Sequence, residues 1–200
     1  MRDEVKHYKR TRIVEEASKL FYERGYDATS VDMLAGELGV TKPFIYSYFD
    51  NKRAILEAVH EQAAHRVLGH IEQAAQATGA PDARLRRFIE LYVDENIKHQ
   101  IASAIYLQEE KNLSPEIAST VRTIERKFNK ILADLIQEGI DAGIYSIQDA
   151  KMASLCISGM VRWVHRWYDP DGRLPPAEIA STISEFAMNM VGLKKRPRRK

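Results

Sequence analysis

Cysteine is almost missing from this chain: Cys156 stands alone among 200 residues. A single thiol excludes an intramolecular disulfide and suits a reducing cytoplasm. Long apolar runs are missing too. The longest stretches free of Asp, Glu, Lys and Arg reach 10 residues, as at 152–161, against the roughly 20 needed to span a bilayer. The opening MRDEVKHYKRTR has no apolar run of the signal-peptide kind, so neither export nor a membrane is expected. Sustained strand alternation is absent, which predicts an all-α protein. No Gly-rich phosphate loop occurs. His60, His65 and His70 are five residues apart, so each turns about 140° from the last around a helix and the three do not converge. Glu109 and Glu110 lack a histidine at ligand spacing, and Cys156 sits in an apolar run that suits inert core better than a nucleophile. Catalysis, a metal and a cofactor are therefore not expected.

Excess charge is also missing once the chain end is set aside. The net charge is +2, but residues 194–200 hold six of the 30 basic residues and no acid. Without them 24 basic residues face 28 acidic ones. Bulk basicity cannot argue for nucleic acid, and any such case has to be local. At 44% hydrophobic and 29% charged, the chain can bury a real core.

What is present centres on residues 29–52, TSVDMLAGELGVTKPFIYSYFDNK. Leu34, Ala35 and Leu38 recur at helical spacing. Thr29 with Asp32 matches a hydroxyl-x-x-acid capping box, and Gly39 stands where a helix usually ends left-handed. Thr41 can cap a second helix with Pro43 in its first turn, and Ile45 with Phe49 gives that helix its buried face. Lys42, Phe44, Tyr46, Ser47 and Tyr48 remain to face outward. Two short helices with an outward-presented second one are the plan of a helix-turn-helix, whose second helix enters the major groove.

The order of residues resembles the tetracycline-repressor (TetR) family of bacterial regulators. Leu34-Ala35, then Leu38-Gly39-Val40-Thr41, then Ile45-Tyr46-x-Tyr48-Phe49-x-Asn51-Lys52 and Leu56 carry the resemblance. The preceding Ile13, Ala17, Leu20 and Phe21, ended by Gly25-Tyr26, fit as well, and the match covers about residues 9–69. The resemblance implies an all-helical homodimer. Its N-terminal three-helix domain, 9–69 with the helix-turn-helix at about 30–49, would bind double-stranded operator DNA. Its C-terminal domain, 78–193, would bind a ligand and dimerise, leaving 194–200 as a basic flexible tail. Thr41, Tyr46, Tyr48 and Lys52 take the family's phosphate-contacting positions, and Ser30 joins the DNA-contacting set. Lys42, Pro43, Phe44 and Ser47 lie nearest the base edges. A positive side chain is slightly unfavourable at a helix start, which argues against a purely structural Lys52. Arg2, Lys6, Lys9, Arg10 and Arg12 read as a basic arm ahead of the first helix, either a solvated end or a phosphate contact.

Residues 78–82 break the chain, and helices are expected near 83–99, 101–111, 115–142, 147–168 and 176–192. Ala153, Cys156, Met160 and Trp167 line a stripe on one late helix; Ile179, Ile183, Phe186 and Met190 do so on the last. These stripes are either internal core or, as the resemblance implies, the dimer interface. The string Trp163-x-x-Arg166-Trp167-Tyr168-x-Pro170-x-Gly172-x-Leu174 resembles members of the family that sense fatty or aromatic acyl-CoA thioesters. Such an effector needs an apolar slot and cations. Phe88, Tyr92, Tyr106, Phe128, Trp163 and Trp167 are candidates for the slot, with Arg122 and Arg166 for the anionic end. The alternatives are another hydrophobic ligand, a helical dimeric scaffold without ligand response, or aromatics that are simply core.

Overall fold

The structure, a computed structural model, describes residues 2–194; the greater part of the 194–200 tail thus lies outside the described residues. The described residues form helices and connecting turns, with no strand. Helix α1 spans Arg2–Arg24, α2 Val31–Leu38, α3 Lys42–Tyr46 and α4 Lys52–Gln76. After the break come α5 (Pro81–Lys98), α6 (Gln100–Gln108), a 3-10 turn (Glu110–Asn112) and α7 (Pro115–Asp141). Helices α8 (Ala150–Arg162), α9 (Val164–Trp167) and α10 (Pro176–Met190) complete the chain.

The contacts divide it into two compact units. One takes the chain up to Ala64 together with Ile101–Arg122; the other takes His65–Gln100 and the chain from Thr123 on. In the first unit Ile13, Ala17, Leu20 and Phe21 of α1 meet Leu34 and Ala35 of α2, Ile45 and Phe49, and Ile55, Leu56 and Val59 of α4. Burying one such side chain is worth about 1.5–3 kcal/mol, so this layer fixes where α3 sits. In the second unit α10 lies along α5, and α8 contacts both.

Two sequence expectations are corrected here. The basic residues at the N-terminus are not an arm ahead of the first helix, because α1 already begins at Arg2. Asp3 and Glu4 occupy its first turn, where carboxylates are favoured by unsatisfied amides. The helix expected at 147–168 is two. Asp149 caps α8 by accepting from the Met152 amide at 2.8 Å, and α8 closes at Arg162. There the His165 ring nitrogen Nδ1 lies 2.7 Å from the Arg162 carbonyl, while the Arg166 amide reaches only the Trp163 carbonyl at 3.0 Å, the tighter i→i+3 spacing of a 3-10 turn.

Candidate nucleic-acid interface

The turn that sets α3 against α2 is built from caps. Ser30, not Thr29, is the N-cap of α2, and its hydroxyl accepts from the Met33 amide at 3.1 Å. Thr29 is buried, with its hydroxyl 2.8 Å from the Gly25 carbonyl and 3.2 Å from that of Leu20. Helix α2 ends on Gly39 at φ 64, ψ 32, a left-handed conformation that glycine adopts without penalty. Thr41 then caps α3, its hydroxyl accepting from the Phe44 amide at 3.4 Å, and Pro43 stands in the first turn. Asn51 caps α4 by accepting from the Ala54 amide at 2.9 Å; an Asn before a helix start is the signal that marks it.

Of the residues expected to meet DNA, Ser30, Thr41, Lys42, Pro43, Tyr46 and Ser47 are exposed. Two carry internal bonds as well. The Ser47 hydroxyl donates to the Phe44 carbonyl at 2.6 Å, and the Lys42 ammonium pairs with Asp32 at 2.7 Å. Phe44 and Tyr48 are half-buried against the core, with rings 5.2 Å apart, and Lys9 stands 5.6 Å from the centre of the Phe44 ring. Phe44 is therefore only partly available to a base.

Lys52 differs most from expectation. Its ammonium donates to the carbonyls of Tyr26 at 2.7 Å, Thr29 at 2.8 Å and Asp27 at 3.3 Å, and it stands 4.3 Å from the centre of the Tyr26 ring. All three donors of the ammonium have acceptors. The side chain ties the first turn of α4 to the α1–α2 connection, the structural role that its place at a helix start had argued against.

The eight residues proposed for a ligand divide between the two units. Phe88, Tyr92 and Phe128 come together in the second unit, with ring centres 5.4–5.8 Å apart. Arg162 joins them, its Nε donating to the Tyr92 hydroxyl at 3.2 Å and its Nη1 to Glu125 at 2.8 Å. Burial holds the Tyr92 hydroxyl above its ordinary pKa, against the lowering pull of Arg162. Trp163, Arg166 and Trp167 are exposed and are not part of this buried cluster. Tyr106 and Arg122 belong to the first unit, where Tyr106 stacks on His60.

Residues 13–59 match the model of the bacterial regulatory proteins of the tetR family, and residues 78–191 match the tetracyclin repressor-like C-terminal domain. The chain belongs to the tetR family. It is 26% identical over 179 residues to the HTH-type transcriptional activator FasR of Mycolicibacterium smegmatis, covering 90% of this chain and 81% of that one. It is 27% identical over 178 residues to the transcriptional repressor KstR2 of the same organism, covering 86% and 84%. The crystal structure of AibR in complex with isovaleryl coenzyme A and operator DNA shares the fold, at TM-score 0.79 and 24% identity, covering 88% of this chain and 96% of that one. The protein is thus a TetR-family, DNA-binding transcriptional regulator with a helix-turn-helix and an all-α C-terminal domain, and its homologues are regulators rather than enzymes. No described helix is long and apolar enough to cross a membrane.

The stripe expected to pair two copies of this regulator is corrected in part. Ala153, Ile179 and Ile183 are buried inside the single chain and have no surface left to offer. Met160 is half-buried, whereas Cys156, Trp167, Phe186 and Met190 are exposed. The expected stripe missed Met152, Leu155 and Trp163, which are 56%, 47% and 59% exposed. Helix α8 is apolar on two faces. The face at 153, 157 and 161 is the core, and spacing alone does not say which face that is.

Proposed function

We propose that the protein is a repressor that binds a pseudo-palindromic operator as a homodimer and leaves it when a small hydrophobic effector, a fatty or aromatic acyl-CoA thioester, binds the C-terminal domain. The observation that carries the DNA part is the exposed face of α3, where Thr41, Lys42, Pro43, Tyr46 and Ser47 stand on a helix held between two caps. Thr41, Tyr46 and Tyr48 serve phosphates; Lys42, Pro43 and Phe44 serve base edges. The exposed apolar face of α8 and α10 supports the dimer, since a two-fold pair sets its recognition helices about 34–36 Å apart in successive major grooves.

The thioester reading is supported by two things: AibR, which shares the fold, is seen with isovaleryl coenzyme A, and Arg162 stands beside the aromatic trio of α5 and α7. An effector acts by favouring a conformer with the wrong recognition-helix spacing, which requires differential affinity for the two conformers. A dimer seated on an operator blocks access without needing a further partner, which favours repression. FasR carries the name of an activator, so activation by the same dimer is the second reading.

The test is fluorescence anisotropy on a duplex selected from a random pool, repeated with acyl- and aryl-CoA thioesters. Tight binding to a palindrome, released by one thioester, is the expected result. Binding indifferent to every thioester removes the ligand assignment, and enhancement by one favours the activator.

A further inference from the structure

The contact between α2 and α3 that packing does not require is an ion pair. Lys42 at the start of α3 donates to Asp32, ten residues earlier, at 2.7 Å, and both side chains are exposed, 44% and 66%. Lysine is a flexible point charge on a four-carbon stem. Left free on the DNA face, it meets whichever phosphate lies nearest, on any sequence, and adds to non-specific binding. Asp32 engages that charge from the first turn of α2, a place where a carboxylate is itself favoured.

We propose that Asp32 is a specificity-determining residue that acts through Lys42, keeping its ammonium off the phosphates of non-operator DNA and yielding it to acceptors in the groove. The proposal rests on the reading of α3 as the groove-facing helix. An exposed pair of this kind is weak, so it biases the choice of DNA without blocking the operator. Guanine presents O6 and N7 together at fixed positions to a lysine, so leaving Asp32 for the groove exchanges one acceptor for two, whereas leaving it for a single phosphate exchanges one anionic oxygen for another. The hydrogen bond that Lys42 donates to Asp32 also holds the ammonium protonated more firmly than usual, so the charge being directed stays intact.

The experiment compares wild type, Asp32→Asn, Asp32→Glu, Lys42→Ala and the Asn/Ala double variant as full chains. Each is titrated on the selected palindromic duplex and on a scrambled duplex of equal length, over a range of salt. In Asp32→Asn, binding to the scrambled duplex is expected to tighten by up to about five-fold, the scale of an exposed pair. The salt slope there steepens by about one unit, for one added phosphate contact, and the ratio of selected to scrambled affinity falls. Asp32→Glu, which keeps the charge, retains the wild-type slope, and the double variant shows the slope of Lys42→Ala. An unchanged slope in Asp32→Asn overturns the proposal. A steepening that survives in the double variant also overturns it, since Asp32 would then be a plain repulsive charge. Wild type that binds no duplex in a salt-dependent way removes the DNA reading of α3 and the proposal together. Thermal melting checks each fold, and Asp32→Ser, which keeps a residue suited to a helix start, repeats the test should the Asn variant unfold.

Discussion

Two polar side chains of the first unit, Lys52 and His60, are held by backbone carbonyls. Lys52 sits at a helix start and reads as a free cation, yet its three donors end on carbonyls 23 to 26 residues earlier in the chain. Lys52→Met should therefore lower unfolding stability by about 2 kcal/mol, the scale of a charged hydrogen-bond set, and leave the salt slope of DNA binding unchanged. A slope reduced by about one unit at full stability would return Lys52 to phosphate contact. His60 makes a second case. It is fully buried, with Nδ1 3.0 Å from the Leu56 carbonyl and Nε2 3.2 Å from the Tyr106 carbonyl, and a neutral ring donates to only one of them. Burial pulls its pKa below the usual 6.5, against the raising effect of both carbonyls. The unfolded chain then binds the proton more readily than the native one. Stability is thus full above pH 6.5 and declines as pH falls from there through the lower native value. Urea unfolding at pH 7.5 and 5 should show a larger acid loss for wild type than for His60→Gln; parallel losses would show that His60 has no such part.

At the level of elements, boundaries written in local chemistry were legible and those set by distant partners were not. Gly39, Thr41 and Pro43 mark the α2–α3 turn in the sequence, and the structure uses all three as caps or first-turn residues. Gly39 allows a clean test, since an added Cβ there meets nothing within 4 Å. Any effect of Gly39→Ala thus comes from the left-handed backbone, and a loss of about 1 kcal/mol is expected by urea unfolding; no loss would mean that the turn relaxes. The cap of α2 was misplaced by one residue because Thr29 and Ser30 both carry hydroxyls, and only burial of Thr29 beneath α1 decides between them. The break between α8 and α9 hangs on His165 bonding back to Arg162, a choice that no propensity scale records. The exposure of Lys42, Tyr46 and Ser47 on α3 was legible residue by residue, but not the pairing of Lys42 with Asp32, which depends on how two helices cross.

For the whole molecule, the proposed dimer needs an exposed apolar surface that a second copy can cover. The sequence marked one stripe on α8, and packing inside the chain consumes the face through Ala153, Ile157 and Val161. That leaves Met152, Leu155, Trp163 and Trp167 exposed on α8 and α9, with Phe186 and Met190 on α10. Apolar side chains so grouped mark an association surface more often than bare solvent. Leu155→Glu should therefore separate the dimer, because two copies of the carboxylate would face an apolar partner across an isologous interface. Ala153→Glu should instead unfold the second unit, since that position is 1% exposed and a buried unpaired charge is strongly destabilising. Light scattering at micromolar concentration, with thermal melting alongside, separates the two effects. A folded monomer for Leu155→Glu, with affinity for a palindromic duplex lost but weak binding to a half-site kept, is the expected outcome. A variant that stays dimeric would move the interface off this face, and wild type that scatters as a monomer would remove the dimer altogether.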